Sequence, residues 1–516
     1  MTETSEALEH LTHFAAVAPD RPAVILGSTG QVVTYGQLEA RSCQVAHLLR
    51  SLGLRTGDRV AVLLENRVEF FEVAWGALRI GLLVTPINWH LSSDEAAFIV
   101  EDCGASVLVA SAALGAVVGG LTDGGGGLAG RFSVGGELPG FTDYEEALGS
   151  QPSGRPEGEC EGNWMLYSSG TTGRPKGVKP AQVGGPLGAA TGFGMLVKGL
   201  YGATEGSVYL SPAPLYHAAP AGWTNAIQRL GGTVVVAERF DPLEVMALIE
   251  RHRVTHVQFV PTHLVRLLKL PAEERAKFDL SSLQVVVHAA APCPPEVKRA
   301  AIEWLGPVVY EYYSGSEGVG FCAIGPEEWL AHPGSVGKSL LGAVHIVGED
   351  GAELPAGEEG EVWFEAPGRF EYHGDPEKTA AAFDARGWST LGDIGRLDEE
   401  GYLYLTDRVS NMIISGGVNV YPREVEDVLV GHPAVADVAA IGVSHPDMGE
   451  AVRAVVQPDG AEPTDALAAE LIAYCRERIA HFKCPTSVVF VEELPRLPSG
   501  KLAKRLLPAA VRGVQD

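Results

Sequence analysis

A large α/β domain with a largely parallel sheet, a small antiparallel unit attached to it, and a small α+β domain at the C-terminal end is the architecture this sequence predicts. Three observations carry it. Between residues 35 and 288, short apolar runs alternate with stretches of helical periodicity, the pattern of strands laid side by side with helices packed on them. Beyond about residue 333 the pattern changes to short strands punctuated by Glu349-Asp350-Gly351, Glu358-Glu359-Gly360 and Glu399-Glu400-Gly401. After Asp407 a compact helix–strand–strand–helix–strand unit follows, so domains are expected at 1–407 and 408–516.

Thr34 and Gln37 form a capping-box pair, Leu38, Val45, Leu48 and Leu49 follow at helical spacing, and Gly53 stops the run, which predicts a helix over 35–52. Val60 to Leu64 is a buried strand, Val68 to Ile80 a helix and Val107 to Ala110 another buried strand. The rhythm resumes with strand Thr233 to Ala237, helix Pro242 to His252, strand Val257 to Val260 and strand Val285 to His288. The antiparallel unit shows no run of helical length. In the C-terminal part a helix is expected near Pro422 to Val430, strands at Val435 to Val443 and Ala451 to Gln457, a helix over Asp465 to Ala480 and a strand at Ser487 to Val491.

Composition narrows the function. The 516 residues are 46% hydrophobic and 20% charged, enough apolar material for a sizeable core. Lys and Arg number 39 against 65 Asp and Glu, a net charge of −26 that would repel a phosphate backbone, so nucleic acid is not an expected partner. An anionic substrate must then be held by a few local cations, backbone N–H groups or a metal. The seven cysteines form no CxxC pair and have no His at metal-ligand spacing, which suits a reducing cytoplasm. MTETSEALEH lacks the basic start and apolar core of a signal peptide, and Val73 to Ile87 is short and interrupted by Arg79, so neither export nor a membrane span is expected.

Three motif matches fail on their context. Gly125-x-Gly127-x-x-Gly130 fits a dinucleotide fingerprint, but Arg131-Phe132-Ser133-Val134 reads as strand or loop where a helix should open. Gly337-Lys338-Ser339 resembles the end of a Walker loop, yet His332 stands where its first Gly belongs. Ser314-Gly315-Ser316-Glu317-Gly318 approaches a nucleophile elbow, but Ser314 replaces the first Gly and no His and acid partners are marked.

The chemistry-bearing stretch is Tyr167-Ser168-Ser169-Gly170-Thr171-Thr172-Gly173-Arg174-Pro175-Lys176-Gly177-Val178. Its hydroxyls and glycines can bring short donors and backbone N–H groups against phosphate oxygens, and Lys176 adds a mobile charge. A solvated Ser/Gly linker would explain the composition but not the ordered SGTTG-x-PKG.

On these residues the chain resembles the adenylate-forming superfamily of acyl-CoA ligases, nonribosomal adenylation domains and luciferases, and the resemblance covers nearly its whole length. It implies that Tyr313-Ser314-Gly315-Ser316-Glu317 stands where the family has Tyr-Gly-x-Thr-Glu: Tyr313 against adenine, the Ser316 hydroxyl near the α-phosphate, Glu317 on Mg²⁺. Ser314 replaces a Gly at the floor of the acyl pocket. Asp393, in Leu391-Gly392-Asp393, matches the ribose-binding acid of Thr-Gly-Asp, with Leu391 in place of the Thr. Arg408 matches the ribose-contacting Arg, and Ser410 falls at the hinge on which the small domain turns. Pro495-Arg496-Leu497-Pro498-Ser499-Gly500-Lys501 matches the segment whose Lys bridges substrate carboxylate and ATP, so Lys501 is the expected catalytic cation beside Lys176 and Glu317.

The implied reaction is attack of a carboxylate on the ATP α-phosphate, followed by acyl transfer from the acyl-adenylate. The acyl pocket is expected between Pro214-Leu215-Tyr216-His217, with Trp223, and the loop His288-Ala289-Ala290-Ala291-Pro292; small residues there leave room for a bulky aryl or alicyclic acid. As a bare observation His217 also fits a core histidine. Gly416 and Gly417, in Ile414-Ser415-Gly416-Gly417-Val418-Asn419, resemble the glycine pair lining the pantetheine tunnel of CoA ligases. Against CoA, the positions that match the CoA-contacting cations of chlorobenzoate-CoA ligases are His90, Cys484 and Thr486, their adenine-stacking Trp is Met448, and Lys483 is left to supply one phosphate contact. The expected function is therefore an acyl-CoA ligase using ATP, Mg²⁺ and CoA. An amide bond synthetase that passes the acyl group to a free amine is the alternative. A homodimer is an open assembly, and a non-catalytic ligand binder would be marked by loss of Lys501, Glu317 or Lys176, all of which are present.

Overall fold

The computed structural model describes residues 9–121, 127–168, 175–180, 183–365, 369–408, 412–415, 418–445, 448–496 and 502–512. The chain forms two compact units: residues 1–259, 270–287 and 368–381 make the first, and 260–269, 288–367 and 382–516 the second. The 407/408 boundary falls inside the second unit.

In the first unit Thr34 caps the helix Tyr35–Ser51 by accepting from the Gln37 amide, and Gln37 reciprocates to the Thr34 amide. The strand Arg59–Leu63 lies between Val107–Ser111 and Leu83–Pro86 in a sheet whose pairings are parallel, extended by Gly130–Val134 and Thr142–Asp143 on one side and Asn163–Trp164 on the other. Helix Val68–Leu78 is buried on nearly every face, in keeping with a sequence that is apolar except for Glu69 and Glu72, which pair with Arg67 and Arg41. A second group of strands runs in the order Val285–His288, His256–Phe259, Val208–Ser211, Thr233–Val236, Pro22–Leu26, Val32–Thr34, parallel where Thr233–Val236 meets its two neighbours and antiparallel at the last step. Helix Pro242–His252 starts on an Asp241 cap with Pro at its first turn and ends where Arg253 takes φ +50°. A small antiparallel sheet of Leu166–Ser168, Lys176–Lys179 and Glu371–Tyr372 completes the unit.

The second unit holds two antiparallel assemblies and the C-terminal part. Val309–Ser314 pairs with Phe321–Ile324, which pairs with Lys338–Leu341. Ala343–Val347, Gly360–Glu365, Ser389–Leu397 and Leu403–Arg408 form a four-stranded antiparallel sheet. The short helix Pro376–Ala381, which belongs to the first unit, was not anticipated, because six residues are too few to show a period. The long hairpin Val435–His445 and Gly449–Pro458 is joined in parallel by Ser487–Phe490. Helices Pro422–Leu429 and Asp465–Arg476 cover one face through Val425, Leu429, Leu467 and Leu471; Leu494, Leu507 and Val511 cover the other. The second of these helices ends four residues before the expected Ala480, and a 3₁₀ turn at His481–Lys483 continues the chain.

The decoy motifs have plain structural roles. Gly130–Val134 is a strand. Gly337 opens a strand where a Cβ would lie 1.9 Å from the Ala323 carbonyl oxygen, so the glycine serves strand packing.

Candidate active site

The segment expected to hold phosphate is flanked by a stem of two paired strands: Ser168 faces Lys176, Tyr167 faces Gly177 and Leu166 faces Val178 in antiparallel register. Ser169, Gly170, Thr171, Thr172 and Gly173 lie outside the described residues. The stem is pinned by Tyr167, whose phenol donates to Asp102 at 2.5 Å. Gly177 is required, since a Cβ there would lie 2.9 Å from the Tyr167 ring. The Lys176 ammonium sits 5.3 Å from the Tyr372 ring centroid. The Asp375 carboxyl is held below its usual range first by the Lys378 amide and then by the charges of Lys378 and Lys176. Tyr372 and Asp375 are thus neighbours of Lys176 that the sequence did not reveal.

His217 is the N-cap residue of helix Ala218–Arg229, half-buried, with its ring 4.3 Å from that of Tyr216. Tyr216 is buried edge-on to Trp89, and burial pushes its phenol up. Trp223, almost wholly buried, stacks on Tyr209 at 5.3 Å and 7° and touches Tyr201 and Phe193. The structure therefore sets Trp223 in an aromatic stack of the first unit's core.

The second unit brings together the residues expected at a nucleoside. Tyr313, next to the end of strand Val309–Ser314, donates its phenolic O–H to Asp393 Oδ2 at 2.5 Å. Asp393 is 6% exposed and lies opposite Arg408 in the strand register. The Ser314 hydroxyl donates to the Gly320 carbonyl at 2.9 Å and so is already engaged by its own turn. That turn reverses through Gly318 and Gly320, at φ +70° and +64°; a side chain at Gly320 would also strike the Phe364 ring. A Cβ built on Gly315 would stand 2.6 Å from Glu317 Oε2 and 2.7 Å from Leu391 Cδ2, so the carboxylate folds back over Gly315 against an apolar wall. Ser316 lies on this same turn.

At the other edge of the unit, Ala289 is buried, and Ala290 is exposed with φ +72°, a left-handed backbone that costs an alanine. The preceding His288 is fully buried beside the Lys298–Glu311 pair. Lys298 reads as a surface charge in Pro295-Glu296-Val297-Lys298-Arg299, and nothing local in the sequence signals its burial.

Among the described residues no group of three or more His, Cys, Asp or Glu could hold a metal by itself. A single carboxylate such as Glu317 suits Mg²⁺, which keeps water and takes most of its remaining oxygens from substrate phosphates. Ser410, Gly416, Gly417 and Lys501 lie outside the described residues, and Arg408 is described by its backbone alone.

Comparison with known proteins agrees with this geometry. Residues 11–371 match the family model described as AMP-binding enzyme, and 424–501 that described as AMP-binding enzyme C-terminal domain. The chain is 34% identical over 505 residues to a long-chain-fatty-acid–CoA ligase of Mycobacterium tuberculosis, with 96% of each chain covered. It is 34% identical over 495 residues to a feruloyl-CoA synthase of Amycolatopsis, covering 95% of this chain and 96% of that one. Among solved structures, the amide bond synthetase McbA of Marinactinospora thermotolerans superposes with a TM-score of 0.78 at 30% identity, covering 96% of this chain and 98% of that one.

Proposed function

The chain belongs to the AMP-binding enzyme family and is an ATP-dependent, AMP-forming ligase, and on that footing we propose that it activates a small carboxylic acid as its acyl-adenylate and passes the acyl group to the thiol of CoA. The observation that carries the reading is the Tyr313–Asp393 hydrogen bond, a ring and an acid brought from two strands as a nucleoside requires, with the Arg408 position opposite Asp393 in the strand register.

In the first step a carboxylate oxygen attacks the α-phosphorus of ATP, the bond to the pyrophosphate oxygen breaks, and pyrophosphate leaves with its electron pair. No side-chain nucleophile is needed; alignment and charge neutralisation supply the rate. Residues 168–177 and Lys176 hold the phosphates, Tyr313 lies against adenine, Ser316 faces the α-phosphate, Asp393 and Arg408 take the ribose, and Lys501 offsets charge between carboxylate and phosphate. Mg²⁺ held by Glu317 would neutralise the leaving pyrophosphate. In the second step the thiol sulfur attacks the acyl carbon and AMP leaves with the C–O electron pair. Residues 408–516 act as a small domain turning at Ser410 between the steps, which withdraws Lys501 and brings Gly416 and Gly417 to the acyl group. By the family resemblance, His217 and Trp223 of the first unit and Ala289, Ala290 and Ser314 of the second are the residues proposed to meet the acid.

One group of observations favours a second reading, transfer to a free amine. Cys484 is buried, with its thiol turned to the Ile479 and Ala480 carbonyls, and the Thr486 hydroxyl donates to the Val452 carbonyl at 3.0 Å. Lys483 is paired with Glu424 at 2.6 Å. Of these three positions only Lys483 carries a cation, and Glu424 opposes it.

The reducing environment of the cytoplasm suits the seven cysteines, none of which is in a disulfide, and no helix among the described residues is long and apolar enough to cross a membrane. The test is product analysis by mass spectrometry with ATP, Mg²⁺ and a panel of aryl, alicyclic and fatty acids, run in parallel with CoA and with a primary amine. Acyl-CoA formed in preference establishes the ligase. Amide formed while CoA is ignored establishes the second reading, and neither product, with no pyrophosphate release, overturns both.

A further inference from the structure

One buried carboxylate joins two segments that the reaction must hold in fixed relation. Glu311 lies two residues before Tyr313 on strand Val309–Ser314, and its Oε2 accepts from Lys298 Nζ at 2.6 Å. The same oxygen is 3.4 Å from Nε2 of His288, the residue from which the Ala289-Ala290 loop departs. Lys298 and His288 are wholly buried and Glu311 is 7% exposed. Burial acts to raise the Glu311 carboxyl, but Lys298 and His288, with the field of Arg423, outweigh it and hold the group below the usual carboxylate range. Burial pushes His288 down to about 4, so its ring is neutral at pH 7. Neither of its ring nitrogens has a hydrogen-bond partner among the described residues; Cys293, Arg423 and Asp427 are further titratable groups near the cluster.

A buried ion pair is a poor source of stability, because desolvation cancels most of the attraction, yet removing one partner is costly. Its value is in fixing geometry. The Lys298 ammonium is also held over the Trp329 ring at 5.0 Å, so the cation has one place to sit. The loop that this cluster anchors carries a strained alanine, Ala290 at φ +72°, and strained backbone persists only where its surroundings over-determine it.

We propose that Glu311 is a positioning residue, which with Lys298 and His288 registers the loop at Ala289 and Ala290, on the acid side, against the strand bearing Tyr313, on the nucleotide side. The inference rests on the functional reading above. Glu311 touches neither substrate; it acts through the two segments it joins.

The roles divide in a way that a merely structural pair would not reproduce. His288 lies on the loop side alone, so His288→Asn should raise KM for the acid about tenfold and leave KM for ATP within about twofold. Glu311→Gln should raise both by about tenfold. The neutral pair Glu311→Gln with Lys298→Met removes the unpaired buried charge, so it should recover thermal stability while both KM values stay high; it also serves if the single variant fails to fold. Initial rates of pyrophosphate release would be read with ATP and cinnamic, benzoic and octanoic acids as probes, and AMP binding would be followed by calorimetry. If the neutral pair has wild-type KM values for both substrates, or if His288→Asn shifts ATP as much as acid, the positioning role is overturned while the ligase reading stands. A wild-type protein that binds no AMP and releases no pyrophosphate with these probes overturns both.

Discussion

The phenol of Tyr313 donates to Asp393 Oδ2 at 2.5 Å, so the residue expected against adenine and the residue expected on ribose are one hydrogen-bonded unit. A bond to a carboxylate is stronger than a neutral one, contributing about 1.5–3 kcal/mol, and this carboxylate is nearly buried. Tyr313→Phe keeps the ring and removes the O–H that orients Asp393. KM for ATP should rise about tenfold with kcat changed far less, as measured by pyrophosphate release. An unchanged KM would mean that Asp393 is placed by its strand alone.

Glu317 and Gly315 should prove inseparable. With Glu317 Oε2 at 2.6 Å and Leu391 Cδ2 at 2.7 Å from a Cβ on Gly315, Gly315→Ala must displace the carboxylate or the leucine. The Mg²⁺ concentration needed for half-maximal rate should rise several-fold, and excess Mg²⁺ should recover part of the activity. Equal loss at all Mg²⁺ concentrations would separate Glu317 from the metal.

Lys501→Ala should depress adenylate formation by about a hundredfold or more, the range for loss of a transition-state charge, while acyl transfer from preformed adenylate continues. The two half-reactions are measured separately, by pyrophosphate release and by consumption of synthetic acyl-AMP. Equal damage to both would sink the alternation of the small domain.

Thr486→Arg places a cation beside Lys483, which Glu424 already engages. Apparent CoA affinity should tighten several-fold at low salt and lose that gain as salt rises. No change at any salt concentration would remove the absent cations as an argument for an amine acceptor.

Acid should destabilise the fold through its buried histidines. Burial lowers His288 to about 4; His263 is lowered to about 3 by burial and by Arg266. In the unfolded chain both protonate near pH 6.5. Their folded values are depressed, so the stability they contribute is fully present above about pH 6.5 and is lost as pH falls through 5 toward 4 and 3. The unfolding free energy from urea titration should fall by about 1 to 2 kcal/mol more between pH 7 and pH 5 in the wild type than in His288→Asn. Parallel losses in the two proteins would show that this ring does not carry the effect.

What the sequence determined by itself is what neighbours along the chain can decide. Thr34 with Gln37 starts a helix, Asp241 with Pro242 starts another, and the strands at 59–63, 107–111, 233–236 and 285–288 stand where their apolar runs placed them, because caps and periodicity are local physics. The ordered SGTTG-x-PKG likewise carried the resemblance to the family before any fold was in view. Helix ends and short helices escaped: Asp465–Arg476 stops short of Ala480 with no stop residue to mark its end, and Pro376–Ala381 spans too little sequence to show a period. Only the tertiary structure paired Tyr313 with Asp393, set Lys176 over Tyr372, and buried Lys298 against Glu311. A charged residue in a helix reads as solvated until a carboxylate from a distant strand is brought to it, and that meeting is decided by how strands and helices stack.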